Sequence, residues 1–256
     1  MSNQEAIDVP GAVWTLIRTD FKVRYHGTLM GFVWALLKPA LTLAVLLSVF
    51  RFVFRSTPSY ALDLVIGIFL YEFFQDATKT GLISLHFKGY LLNRSTFPRW
   101  IFVVTSSANA LITLLTFSAA LVVYLGVVGP TPSLGRLALF GVYVAHLVAI
   151  VVGFSLAASV LFVRYRDLNQ VWEVLVQMGF FFAPVIYPIG VLPEELHIYL
   201  YAWPPTPVLE FSRSVLTGEA IPSLRGHLLL TAMAAACLVV GALVHRRWAP
   251  RVAEYL

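Results

Sequence analysis

The chain has 256 residues, 59% hydrophobic and 12% charged, with a mean hydropathy of +0.81 and a formal net charge of +5. That is too little polar surface for a soluble domain, and almost the whole length is committed to apolar segments, so no soluble catalytic domain fits beside them. The cations flank apolar runs and form no basic patch with interleaved aromatics, so nucleic acid is not expected as a partner.

In chain order, residues 12–26 predict an N-terminal amphipathic interface helix. Trp14, Ile17, Phe21 and Tyr25 recur at helical spacing, while Arg18, Lys22 and His26 take the other side, with Arg24 beside Tyr25. Such a helix lies in the membrane interface, apolar face among acyl chains and cations toward headgroups or a partner. It runs almost without a break into the first of six apolar windows: 31–54, 60–78, 100–128, 136–162, 168–189 and 226–247. Each can supply the roughly 20 residues that a spanning helix needs. The first window is too long for a signal peptide and lacks a small-residue cleavage pattern, so it is expected to be retained.

Charge placement sets the expected topology. Thirteen cations fall on one side, in the groups Arg18 to Lys38, Lys79 to Arg99, Arg164 with Arg166, and Arg246 to Arg251; the other side holds five, Arg51, Arg55, Arg136, Arg213 and Arg225. The bias predicts both termini in the cytoplasm. The cytoplasmic loop at 79–99 reads as a short helix ended by Phe97-Pro98, and residues 190–223 stay apolar and aromatic despite Pro193, Pro204, Pro205, Pro207 and Pro222. Two short helices fit there, 194–202 and 207–217, too short to cross; a re-entrant or interfacial hairpin on the outer side is expected, with an ordinary surface loop as the alternative. The fold class is therefore an all-α integral membrane protein with six transmembrane helices, an interface helix, both termini cytoplasmic and an outer re-entrant hairpin between helices 5 and 6.

Chemical motifs are absent: no G-x-x-x-x-G-K-[ST] loop, no H-E-x-x-H, no G-x-S-x-G and no second cysteine beside Cys237, which is read as an inert thiol. Work done by this chain needs energy from elsewhere, and no cofactor or metal is expected within it. Polar groups inside the spans are costly unless they face protein or water. Glu72, Gln75 and Asp76 share one helix face, Lys79 stands within reach of Asp76, and Glu173 with Gln177 repeats the spacing. These groups line a polar conduit or pair between helices, while Asn109 and His146 stand alone in their spans. Phe69, Tyr71, Phe73 and Phe74, and Phe180, Phe181 and Phe182, are aromatic clusters suited to stacking on sugar faces or to plain packing.

Arg24-Tyr25 followed by Gly31, Trp34 and Pro39, the FPRW string at 97–100, RYRDLNQVWEVLVQMGFFFAPVIYP at 164–188 and Pro204-x-x-Pro207 resemble, in order along the chain, the permease subunits of type-2 ABC exporters for polysaccharides. The resemblance implies a homodimer in the bacterial cytoplasmic (inner) membrane with two copies of a separate ATPase beneath, ATP and Mg being bound by that partner. The substrate would be a polyprenyl-diphosphate-linked polysaccharide, O-antigen or teichoic acid. A coupling helix would map to 84–96, with Lys88, Asn93, Arg94, Phe97 and Arg99 as coupling residues. The interface helix would flank the ATPase. Channel lining would fall to Phe69, Tyr71, Glu72, Phe73, Gln75, Glu173, Gln177 and Phe181, and an outer gate to Tyr187, Tyr199, Trp203, Pro204 and Pro207. Trp203 stands where the family often has Asn, Leu70 near a common proline, and Glu72 in a usually apolar slot. The alternatives are an exporter permease for a small lipid or drug and, more remotely, a membrane-embedded glycosyl or phosphoglycosyl transferase.

Overall fold

The computed structural model describes residues 9–54, 59–89, 98–127 and 131–254. Every regular element among them is helical: α1 Val9–Tyr25, α2 Val33–Phe50, α3 Tyr60–Phe87, α4 Arg99–Ser106, α5 Ala108–Val127, α6 Leu134–Arg164, α7 Leu168–Phe182, α8 Glu194–Ala202, α9 Pro205–Thr217 and α10 Leu224–Trp248, with 3-10 turns at Ile189–Val191 and Ala249–Glu254. Four segments are long and apolar enough to cross a membrane: Val33–Phe50, Arg99–Val127, Leu134–Arg164 and Leu224–Val252. The other two expected spans differ. α3 is 28 residues long, but Asp63, Glu72, Asp76 and Lys79 interrupt its apolar run; α7 has only 15 residues. At 1.5 Å per residue, α7 covers about 22 Å, short of a hydrocarbon core.

Local chemistry explains the boundaries. The joint between α1 and α2 is a real break, not the near-continuous run expected, because Gly27 (φ 79°) and Gly31 (φ 51°) both adopt left-handed backbone that turns the chain. α3 continues past residue 78 to Phe87, absorbing the start of the expected coupling helix; Gly81 is tolerated inside it because Ser155 of α6 packs where a side chain would stand. Most of that coupling helix, residues 90–96, lies outside the described residues. The third span is broken at Ser107 into α4 and α5. α7 stops at Phe182, not at 189, since Pro184 forces Ala183 into extended backbone (ψ 145°).

α3, α6 and α9 form the core, where Tyr71, Tyr143, Phe74, Leu64 and Leu147 are buried side by side. α6 and α10 cross at two glycines: a Cβ on Gly153 would strike the Cys237 backbone, and one on Gly241 would strike Gly153. Backbones this close gain dispersion contact along the whole crossing. α8 and α9 match the expected hairpin, and α9 is packed inside the bundle, with Val208, Leu209, Val215 and Leu216 buried. α9 is thus part of the packed bundle, while α8 leaves Ile198 and Tyr199 exposed.

One residue holds this end of the bundle together. Arg213 of α9 is 6% exposed. Its Nε donates to the Asp63 carbonyl at 2.9 Å, Nη2 to the Val185 carbonyl at 2.9 Å, and Nη1 to the Pro184 carbonyl and to Glu210 Oε1 (2.7 Å). The Tyr60 hydroxyl donates to the Ile186 carbonyl and the Tyr187 hydroxyl to the Phe182 carbonyl, both at 2.8 Å. Nearly every carbonyl released by the break after α7 is thus met by a side chain. Arg136 of α6 donates to the Ser214, Val215 and Glu219 carbonyls, closing the end of α9, where Gly218 (φ 88°) ends the helix.

Replacing Arg213 with Met should cost about 3–5 kcal/mol, because it strands the Glu210 carboxylate and leaves these carbonyls unpaired. Arg213→Lys should fall between Met and wild type, since one ammonium cannot reach three carbonyls from one point. Thermal unfolding in detergent, followed by tryptophan fluorescence, reads both; an unchanged midpoint for Arg213→Met contradicts the assignment.

Candidate functional site

α3 carries charges where an apolar helix would be expected, and each is answered by a different neighbour. Lys38 of α2 pairs with Glu72 at 2.8 Å, Arg24 of α1 with Asp76 at 2.9 Å, and Glu173 of α7 with Lys79 at 2.6 Å. Lys88, just past the end of α3, pairs with Asp20 of α1 and lies 3.4 Å from Thr105 Oγ1. Lys79 therefore turns toward α7 and does not pair with Asp76, three residues earlier, because Arg24 already occupies that carboxylate. Between α1, α2, α3 and α5 the first two pairs border a cleft of about 80 Å³, lined also by Phe69 and Phe117, whose rings stack at 3.7 Å.

The clamp between α1 and α3 has a direction written into its charges. Asp20 and Arg24 sit one turn apart on α1 and meet partners of opposite sign 12 residues apart, Asp76 on α3 and Lys88 just past its end. Reversing α1 would set Arg24 against Lys88 and Asp20 against Asp76, two like-charge contacts. The clamp fixes which end of α1 lies at the end of α3. Phe21, Tyr25 and Phe32 add an aromatic cluster with ring centroids 4.8 to 5.7 Å apart. At the same end of the bundle Arg164 lies over Tyr165 and Trp248, Arg251 over Trp248, and Arg99 donates to the Ala249 carbonyl.

The residues singled out in the sequence fall into several environments. On α1, Phe21 and Tyr25 are half-buried, Arg18 and Lys22 are exposed, and Trp14, 67% exposed, stands away from the packed face. Lys88 and Arg99 are tied within the chain, while Asn93, Arg94 and Phe97 lie outside the described residues. Among the channel candidates, Glu173, Gln177 and Phe181 occupy the open face of α7, and Phe69 and Glu72 border the cleft. Tyr71 presents no surface at all; its hydroxyl donates to the Val176 carbonyl at 2.7 Å, so it braces α7 against α3. Phe73 is buried beside it and Gln75 half-buried. In the hairpin Tyr199 is exposed, Tyr187 and Pro204 are half-buried and Pro207 is buried. Trp203 packs near Phe74 and Trp172, and leaves no room for a side chain at Gly179. Asn109 is buried, and His146 accepts or donates across to Thr231 of α10 at 3.0 Å.

Sequence reasoning missed Arg213 and Glu210 as a buried pair. The signal was present as Glu-x-x-Arg in a short apolar helix, a spacing that brings the two side chains together. Burial pushes the Glu210 carboxyl above its ordinary range, opposed by the Arg213 guanidinium beside it.

Bundled apolar helices of membrane length, a fastened amphipathic N-terminal helix and a helical hairpin folded back into the bundle define an all-α domain of the integral membrane class. The chain belongs to the ABC-2 type transporter family, whose model matches residues 11–217. It is similar to the O-antigen export system permease protein RfbA of Klebsiella pneumoniae, 26% identical over 177 residues, covering 69% of this chain and 68% of that protein. The RfbA protein of Myxococcus xanthus is 26% identical over 198 residues (75% of this chain, 74% of that one). The polysialic acid transport protein KpsM of Escherichia coli is 23% identical over 211 residues, covering 80% of each.

Asp20→Lys and Lys88→Asp should each destabilise by roughly 1–3 kcal/mol, as expected for losing a shielded charged hydrogen bond, and the double reversal should recover most of the loss. Unfolding midpoints in detergent give the coupling directly. Additive losses without recovery would show that the two side chains do not interact.

Proposed function

We propose that this chain is the channel-forming permease subunit of an ATP-driven exporter that moves a polyprenyl-diphosphate-linked polysaccharide, O-antigen first and teichoic acid next, across the bacterial cytoplasmic membrane. The observation that carries the reading is the fastening of α1 to α3 at the end of the bundle where the coupling segment begins, in a chain whose relatives are polysaccharide export permeases. A chain with no phosphate-binding loop needs a partner to hydrolyse ATP, and the clamped end offers that partner a surface with exposed Arg18 and Lys22. Both termini and this end face the cytoplasm in the proposal, with α3 and α7 as the second and fifth of six spans and two copies of an ATPase docked beneath a homodimer.

Two copies of the permease would enclose the path. α7 turns Val174, Met178 and Phe181 outward on the same short helix as Glu173 and Gln177. A mixed face of this kind is costly in lipid and suits a partner or a water-lined conduit. α3 is one unbroken helix from Asp63, whose carbonyl Arg213 grips, to Phe87, next to the Lys88 that Asp20 grips. Between those two grips it is a single rod about 36 Å long, joining the ATPase end to the outer hairpin.

Co-expression with its ATPase partner should yield a complex containing two copies of each chain, with ATP hydrolysis absent from the permease alone. Replacing Asn93 and Arg94 with Ala should leave hydrolysis in place and reduce polysaccharide at the cell surface by tenfold or more, about 1.4 kcal/mol of coupling. Normal export by that variant would remove the coupling segment from the proposal.

A further inference from the structure

A cavity of about 770 Å³ lies between the hairpin and the last long helix, away from the charged cleft and the open face of α7. Its walls come from α8, α9 and α10. Deep in it are Phe211, Leu230 and Met233, and it opens between Ile198 of α8, 72% exposed, and Leu229 of α10, 62% exposed. Apolar side chains this exposed at a mouth mark a surface suited to an apolar occupant, such as a lipid acyl chain. The same cavity reaches Glu219, in the loop after α9, and Arg225, at the start of α10. Met233 is eight residues further along α10, about 12 Å deeper. The cavity therefore runs from a charged rim into an apolar interior.

The rim chemistry selects the occupant. Among the described residues neither Glu219 nor Arg225 has an ion-pair partner, and both are exposed. The deeper carboxylate, Glu210, is already held by Arg213. A guanidinium suits a phosphate, and a carboxylate suits a primary ammonium. We propose that this cavity binds a zwitterionic aminophospholipid, its phosphate on Arg225, its ammonium on Glu219 and an acyl chain between Ile198 and Leu229 over Met233. An anionic lipid would meet Glu219 unfavourably, and a free glycan would leave the apolar interior wet. The site needs only the membrane setting of the proposed function and no ATP-driven step.

The purified permease complex, reconstituted in nanodiscs with equal parts phosphatidylethanolamine and phosphatidylglycerol, tests this by native mass spectrometry after detergent release. A phosphatidylethanolamine with a photoreactive acyl chain maps the contact. Wild type should retain phosphatidylethanolamine with roughly tenfold preference, the value of one charge-assisted bond, and crosslink to peptides holding Ile198 and Met233. Glu219→Gln, in an exposed loop where folding is not at risk, should abolish the headgroup preference while keeping the crosslink. Leu229→Trp should fill the mouth and remove both. Equal retention of the two lipids by wild type, crosslinks confined to other peptides, or a preference unchanged by Glu219→Gln each overturn the site. Lipid selectivity in a complex that fails to export polysaccharide would leave the site standing and remove the exporter reading instead.

Discussion

Buried backbone carbonyls cannot be left unpaired, and this fold contains a place where several are released at once. Pro184 ends α7 after 15 residues, and the chain then runs irregularly toward the hairpin. In hydrocarbon each unpaired carbonyl costs several kcal/mol, so such a break survives only if protein donors reach it. Arg213 reaches two of the released carbonyls, Pro184 and Val185, and ties them to the Asp63 carbonyl of α3, while Tyr60 and Tyr187 donate to Ile186 and Phe182. Because Arg213 sits on α9, the hairpin must fold inward for the fifth apolar segment to break at all. The broken helix and the buried hairpin are one structural solution, and Gly67 belongs to it, since a side chain there would displace the guanidinium.

The charges on α3 follow a similar logic at the other end. Asp76, Glu72 and Lys79 would each oppose insertion if unpaired, yet their partners come from α1, α2 and α7, one apiece. Helices that would otherwise meet α3 only through non-directional apolar contact are given a fixed azimuth by these pairs. Exposure at the Lys38 and Lys79 pairs keeps their contribution to stability small, and their value lies in register. The Lys88–Asp20 pair is better shielded, at 13% and 24% exposure, and marks the point where α1 is held most firmly.

What could be read from the sequence was what local pattern decides. The amphipathic helix at 12–26, the two hairpin helices and the long apolar windows follow from spacing and proline placement, and they lie within a few residues of α1, α8, α9, α2, α6 and α10. The end of α7 was misplaced because the apolar run continues through Pro184, and hydropathy does not register a backbone break. Ion-pair partners were not legible for a different reason. Asp76 is three residues from Lys79 but 52 from Arg24, and only the tertiary packing of α1 against α4 and α5 brings the distant cation within reach of it. Tyr71 looked like a lining residue because an aromatic at a polar helix face suits either role; its hydroxyl shows which, by closing on the Val176 carbonyl.

α3 is the element on which both solutions converge. Its N-terminal turn offers the Asp63 carbonyl to Arg213, its middle holds the charges that orient α1, α2 and α7, and the residue after its end is fixed to α1. An α-helix transmits tilt along its length far better than it absorbs bending, unless proline or a bulge gives it a hinge, and α3 contains no proline. Its two interior glycines are both packed, Gly67 against Arg213 and Gly81 against Ser155 of α6. α3 is thus one stiff element fastened near both of its ends. The ends of the bundle are linked by a short sequence of stiff parts, and the charge pairs fix how α1, α2 and α7 are set around α3.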